Sequence, residues 1–290
     1  MSVLTDVLAW MVIAAFGGTA LLQHLDVSDW KRGAVGSWVL FAVFWASLVP
    51  HFIFTQRSIV EGVLSIAAVP ASLYVAYLVL TNRRDFATVT RAVAIMGLIY
   101  LPFQTIPPLA NVAIETVTRH VEFLLAALGY DPTVIQGPAG LRSTFLFVGP
   151  SGHEFTTRVL LACTGIGSAA TVSGLVLALD APVRRRLTGV ALVVPIIYVL
   201  NVVRVAFIAL AHGNQWFTWL KEPVFLLFGT NNPNMVSFLV ADRVLAQSMS
   251  VVVLVAITLG LLRLLPELSV VVEDVLFLLT GSEYDVRDTI

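Results

Sequence analysis

The sequence predicts an all-α polytopic membrane protein with about seven transmembrane helices, an outer interfacial helix and a small β-hairpin. Three observations carry that reading. Of 290 residues, 58% are hydrophobic and 12% are charged, about half the charge of an ordinary globular domain. The apolar residues fall in runs long enough to cross a bilayer, since a span needs about 20 residues at about 1.5 Å rise each. The charges are bunched between those runs. A formal net charge of −1 says little about partners, and nothing in its distribution points to nucleic acid.

Seven stretches qualify as spans, at 4–25, 34–55, 59–80, 90–109, 159–180, 187–211 and 244–265, within a single multi-span domain of 1–290. The segments between them carry Lys31 and Arg32, then Arg57, then Arg83, Arg84 and Arg91, and later Arg184, Arg185 and Arg186. Placing the basic loops 26–33, 81–91 and 181–187 in the cytoplasm leaves 56–58, 110–158 and 212–243 outside. The N-terminus is then out and the C-terminus in. No Lys or Arg precedes the first apolar run, so it does not read as a cleaved signal peptide.

Residues 111–128 are not a clean span. Glu115, Thr118, Arg119 and Glu122 fall on one side at helical spacing, and Ile114, Val117, Val121, Leu124, Leu125 and Leu128 on the other. This reads as an amphipathic helix on the outer membrane surface, with Glu115 and Arg119 paired. Asp131-Pro132 and Gly137-Pro138-Ala139-Gly140 then break into a loop. Arg142–Val148 and His153–Val159, rich in β-branched and aromatic residues, flank Gly149-Pro150-Ser151-Gly152 as a hairpin. Such a hairpin either offers an edge to an extended peptide or serves as a lid. Trp216, Phe217 and Trp219 suit an interface. The tail at 266–290, with Glu267, Glu273, Asp274, Glu283 and Asp285, reads as a cytoplasmic surface helix with a disordered end.

The chemistry gathers on three residues. Cys163, the one cysteine in the chain, excludes an internal disulfide framework and a cysteine-rich metal site. It lies near the N-terminal end of its predicted span, about 6 Å in by helical rise. Arg204 lies about 10 Å from the outer end of the next span, and Arg243 stands at the outer mouth of the last. Consecutive elements are usually neighbours, so the three are expected to converge. An arginine inside a span is costly unless paired or lining a cavity. A span cysteine by itself is an inert small hydrophobe, but nearby cations and a helix N-terminus favour the thiolate. Gly167, Thr171 and Gly174 share roughly its face, where small residues admit a neighbouring or substrate helix. Two guanidiniums beside a thiolate suit acyl transfer, because they can also stabilise a tetrahedral oxyanion.

Arginine is no general base, and the proton donor is left open among His153, His212, Asp242 and Glu154. His212 falls about 80° round the helix from Arg204 and reads first as a helix-end histidine. His24, His51 and His120 show no metal-ligand spacing, and no P-loop, dinucleotide fingerprint or zinc motif is present. No cofactor and no metal are expected.

The motifs Ala162-Cys163-Thr164-Gly165-Ile166-Gly167-Ser168, Asn201-Val202-Val203-Arg204 and Ser237-Phe238-Leu239-Val240-Ala241-Asp242-Arg243 resemble the archaeosortase/exosortase family. Their order and the span layout fit its haloarchaeal branch. In exosortases the third position is usually histidine; here it is Arg243. The resemblance implies a membrane cysteine transpeptidase of the cell membrane, with its active site near the outer face. Cys163 would be the nucleophile that forms an acyl-thioester, and Arg204 would stabilise thiolate and oxyanion. Arg243 would do the same or orient substrate. It further implies, as partners, secreted proteins with a C-terminal tripartite signal of Pro-Gly-Phe motif, hydrophobic helix and basic tail, surface-layer glycoprotein among them. An archaeal membrane lipid would accept the acyl group. The rival readings are a transporter binding an anion between the two arginines, a non-catalytic envelope-assembly factor, and an acyltransferase loading Cys163 from a lipid thioester.

Overall fold

A computed structural model describes residues 3–56, 59–150 and 152–286. Arg57 and the hairpin-turn Ser151 lie outside the described residues, as does the end of the tail from 287. Among the described residues, six helices are long and apolar enough to cross a membrane. They are α1 (Val3–His24), α2 (Trp30–Pro50, continued by a π-helical turn His51–Thr55), α3 (Ile59–Leu80), α4 (Ala87–Thr105), α7 (Val183–Gly213) and the path Pro233–Leu264. That last path comprises a 3₁₀ turn Pro233–Met235, α9 (Val236–Phe238), a π-helical segment Leu239–Ala246 and α10 (Gln247–Leu264). The remaining helices are α5 (Pro107–Ala127), α6 (Ile166–Ala178), α8 (Lys221–Phe228) and α11 (Ser269–Thr280). Strands β1 (Thr133–Gln136), β2 (Arg142–Val148) and β3 (Glu154–Arg158) form an antiparallel sheet in that order.

The stretch 159–180 departs from expectation. Its helix, α6, spans 13 residues, about 20 Å at helical rise, and is too short to cross alone. Two local causes explain this. The strand ladder runs past β3, with Val159 N donating to Ser143 O at 2.8 Å. Gly165 then adopts φ +79°, a left-handed conformation that stops helix from propagating back through Cys163. Apolar content alone could not reveal that boundary.

The chain divides into two compact units. The first comprises Met1–Pro102, Ser168–Val194 and Val255–Ile290. Its core gathers Val12, Phe16, Trp38, Leu78 and Val79. The Phe16 and Trp38 rings meet edge to face at 5.2 Å, and Trp38 Nε1 donates to Thr90 Oγ1 at 3.1 Å. The small face of α6 is taken by α4. A Cβ at Gly174 would stand 2.7 Å from Ala92 O, and Thr171 Oγ1 reaches Met96 Sδ at 3.5 Å. At Gly174 the close neighbour is therefore a helix of this chain, not a substrate helix.

The basic loops of this unit are tied by acids and carbonyls. Arg91 pairs with Asp180 at 2.7 Å and Arg185 with Glu267 at 2.9 Å, while Arg186 donates to Leu177 O at 2.7 Å. The C-terminal helix is not a loose surface element. Leu265, Leu268, Val271 and Asp274 are buried, and Phe277 and Leu278 pack against the core. Asp274 Oδ1 accepts from Arg84 Nε at 2.5 Å, and the Arg84 guanidinium lies 5.0 Å from the Phe277 ring centroid. Burial pushes the Asp274 carboxyl up, and Arg84 opposes that rise. Arg84→Ala leaves a buried carboxyl without its partner. It is expected to cost about 3 kcal/mol, read as a lower melting temperature in detergent and faster proteolysis within 269–280.

Candidate active site

The second unit comprises Phe103–Gly167 and Pro195–Leu254 and contains every residue singled out for chemistry. Its frame is α5, the sheet and the later part of α7. Ile106, extended at φ −106° and ψ 99°, precedes the prolines that open α5, as the residue before a proline prefers. Val117, Val121 and Leu125 of α5 are fully buried with Phe145, Val159, Val205 and Ala209. The apolar stripe expected to face lipid is thus largely covered by the sheet and α7. Among the described residues no ion pair joins Glu115 to Arg119; Glu122 instead accepts from Arg142 at 2.6 Å.

The hairpin expected at 142–159 forms as β2 and β3. Phe147 opposes Phe155, and Phe145 opposes Thr157. The sheet gains β1, whose Thr133-Val134-Ile135 run after Pro132 carries a β-branched signal. Along β3, Phe155 and Thr157 point into the core and Glu154, Thr156 and Arg158 point outward.

From β3 the chain stays extended through Leu160 and closes into a 3₁₀ turn, Leu161–Cys163. Cys163 therefore precedes its helix instead of lying inside it. Cys163 N donates to Leu160 O at 2.8 Å and Thr164 N to Leu161 O at 3.0 Å. Asn201 Nδ2 on α7 donates to Cys163 O at 2.7 Å. A Cβ on Gly165 would stand 3.0 Å from Asn201 Cβ, so glycine supplies both the backbone turn and room for this bond. The bond sets the cysteine level with Asn201, about 18 Å short of the α7 end by helical rise.

Arg204 lies one turn along α7 from Asn201. Arg243 is not at the mouth of a helix but inside the π-helical segment Leu239–Ala246, in a path that begins at Pro233. Asp242 joins the two arginines. Its Oδ1 accepts from Arg204 Nη2 at 3.2 Å, and its Oδ2 lies 3.3 Å from Arg243 Nε. Asp242 is 9% exposed. Arg204, Arg243 and Asp242 all lie within electrostatic reach of the Cys163 sulfur. Arg204 and Arg243 are thus joined through Asp242, and all three act electrostatically on the Cys163 thiol. Arg204 Nε is buried without a hydrogen-bond partner among the described residues.

The other proton-donor candidates do not meet this cluster: the two histidines have other partners and Glu154 is exposed. His212 is buried, with Nδ1 3.1 Å from Thr157 Oγ1 and a bond to the Asn234 backbone. Its ring sits edge-on to Phe155 and Phe238. It pins the sheet, α7 and the 233–235 turn together. His153 Nε2 lies 3.0 Å from Asn234 Nδ2, and Glu154 is exposed on β3. Of the four, the structure brings only Asp242 to the thiol. Asn201 belongs to the second motif, and the cue to its part in the turn is an amide side chain in an apolar helix, one turn before Arg204. Among the described residues no cluster of His, Cys, Asp or Glu could hold a metal ion.

Six bilayer-length helices define a multi-pass membrane protein, and its second unit holds a thiol, two guanidiniums and a carboxylate. The chain belongs to the transmembrane exosortase family, whose model matches residues 5–232. It is 45% identical to archaeosortase A of Haloferax volcanii over 98% of this chain and 97% of that protein. It is 44% identical to archaeosortase A of Natronomonas pharaonis, over 94% and 88% respectively. No solved structure matches it significantly.

Gly165→Ala would force an L-residue into φ +79° against Asn201. It is expected to destabilise the protein by about 1–2 kcal/mol and to loosen the turn. The checks are a lower melting temperature and a changed rate of maleimide labelling at Cys163. Asn201→Ala, which removes one hydrogen bond worth about 1 kcal/mol, should change the labelling rate with a smaller loss of stability.

Proposed function

We propose that the chain is a membrane cysteine transpeptidase that acts on secreted proteins carrying a C-terminal sorting signal. The observation that carries this reading is the single electrostatic cluster of Cys163, Arg204, Asp242 and Arg243. Its likeness to archaeosortase A over nearly the whole chain supports it. The signal is the tripartite one: a Pro-Gly-Phe motif, one hydrophobic helix and a basic tail. The orientation is N-out and C-in, so the thiol faces the side where secreted chains emerge.

Cys163 Sγ attacks the scissile carbonyl carbon near the motif. The C–S bond forms as the carbonyl π-electrons move to oxygen, and the guanidiniums meet the resulting negative charge. Arg204 Nε, without a partner among the described residues, is free to donate to it. Collapse breaks the C–N bond, and the proton given up by the thiol ends on the leaving amine. This releases the hydrophobic helix with its tail and leaves a thioester. A lipid nucleophile then bonds to the acyl carbon as the C–S bond breaks and its proton passes to the departing sulfur, which restores the Cys163 thiol and leaves the secreted protein lipid-anchored. Asp242 holds both guanidiniums in place.

This reading places Arg204 and Arg243 in catalysis, whereas a transporter with an anion site between them would not need the thiol. Asp242 already occupies the place between the arginines, which disfavours that rival. Cys163→Ala and Cys163→Ser, tested in cells lacking the enzyme, are expected to leave a signal-bearing substrate uncleaved and unlipidated at normal enzyme levels. The intact mass of the substrate C-terminus reads this directly. Normal processing by the alanine variant would return Cys163 to a packing role. Arg204→Lys and Arg243→Lys keep the charge but lose the planar fork, and each is expected to slow cleavage by about 10²-fold. Asp242→Ala should impair cleavage and also alter the pH profile of Cys163 alkylation, which a merely structural loss would not shift.

A further inference from the structure

We propose that the open edge of β3 is the docking strand for the substrate, which adds an extended segment to the sheet as a fourth strand beside Cys163. The proposal rests on the reading of Cys163 as the nucleophile and names the binding site that serves it.

The hydrogen-bond phase of the sheet is the first observation. Gly149 N donates to His153 O at 2.8 Å, and Val159 N to Ser143 O at 2.8 Å. These two contacts bracket the β2–β3 register, in which Phe147 faces Phe155 and Phe145 faces Thr157. Bonded pairs alternate with non-bonded ones in an antiparallel ladder. The backbone groups of Phe155, Thr157 and Val159 therefore point at β2, and those of Glu154, Thr156 and Arg158 point away from it. The same phase holds on the far side, where Leu146 and Thr144 face β1.

The second observation is that no described residue takes up that outward row. β3 lies at the end of the strand order, and Glu154, Thr156 and Arg158 are exposed. Among the described residues, no backbone partner meets the N–H or C=O of these three. A row of unpaired donors and acceptors at two-residue spacing matches one kind of ligand, an extended peptide backbone. Helical ligands, lipids and small anions do not repeat at that spacing.

The third observation is continuity with the site. The chain passes from Arg158 through extended Val159 and Leu160 straight into the 3₁₀ turn Leu161–Cys163. The open edge spans about 17 Å at strand rise. A peptide laid along it has its carbonyls aligned by main-chain bonds and is carried to the thiol by the same strand. Recognition through backbone tolerates varied sequence, which suits an enzyme that sorts many proteins. The interior stays anchored throughout, because Phe155 and Thr157 face inward and Thr157 is held by His212 at 3.1 Å.

The test uses the full-length enzyme in detergent or native membranes with a signal-bearing substrate. Thr156→Pro removes an outward N–H while leaving the β2–β3 bonds their donors. It is expected to slow cleavage by about tenfold or more with wild-type labelling of Cys163. A second measurement does not depend on that variant folding well. In Cys163→Ala the protein has no cysteine, so Thr156→Cys places a single thiol at the edge. Substrates with one cysteine at successive positions upstream of the cleavage motif are then offered with a short thiol-specific cross-linker. Cross-links that alternate along the substrate support an added strand. Cross-links at three- or four-residue spacing, or none at any position, overturn it and leave the hairpin a lid. The parent reading fails separately, if Cys163→Ala still cleaves. The docking proposal fails alone if Cys163 is required while Thr156→Pro cleaves at the wild-type rate.

Discussion

The carboxylate of Asp242, shared by two guanidiniums, is the interaction on which the candidate site depends. Arg204 and Arg243 come from separate helices in a chain poor in charge, where an unpaired cation is costly. Two such cations side by side would also repel. Asp242 meets both, with contacts of 3.2 and 3.3 Å. It lowers the cost of each and leaves the group one positive charge in excess. Both oxygens must be presented at once, and the backbone serves that need. Asp242 and Arg243 lie in a π-helical segment, where the wider turn rotates side chains away from α-helical positions. Such segments cost hydrogen-bond quality and are found frequently at functional sites.

A second constraint acts on the backbone around Cys163. Non-helical chain at membrane depth is tolerated only where protein satisfies its polar groups. In the turn around Cys163 the departure from helix is answered locally. Val159 stays on the sheet ladder, Cys163 and Thr164 donate within their own turn, and the Cys163 carbonyl accepts from Asn201. The Thr164 hydroxyl adds a bond to Leu161 O at 2.7 Å. The sheet is thus the element that lets the chain reach Cys163 without helix, and α5 and α7 bury the sheet in turn.

This explains what could and could not be read from residues alone. The long helices follow from apolar length, and the hairpin from its alternating Thr, Phe and Val residues around a glycine-rich turn. The convergence of Cys163, Arg204 and Arg243 was legible because buried charge in an apolar chain demands a partner. The partner itself was ambiguous, since Asp242 adjoins Arg243 and could have been a local surface pair. Continuous apolarity across 159–180 hid the boundary between strand, turn and helix, because hydropathy does not distinguish Val159 on a ladder from Val159 in a span. The π-helical register around Arg243 leaves no compositional trace. The C-terminal helix misled for the opposite reason: its acidic residues suggested a solvated face, whereas Asp274 is buried against Arg84.

The conformation of the enzyme near Cys163 bears on the conformation its substrate must adopt. Within an α-helix each carbonyl is engaged by an N–H four residues on and is crowded by side chains, so a nucleophile cannot approach it along a productive line. On the proposed function, a sorting signal whose hydrophobic part is helical would have to be extended where it is cut. Under the proposed function, the proline and glycine of the signal, poor helix formers, would hold that stretch open, and a strand edge with unsatisfied donors would give the extended form bonds that helix would otherwise supply. The enzyme reaches its own thiol in the same way, leaving strand for a tight turn before helix resumes at Ile166. An extended substrate on an extended strand would bring two non-helical backbones together at one level. Each would satisfy the polar groups that the other exposes, which is the condition a bilayer imposes on any chain that abandons helix inside it.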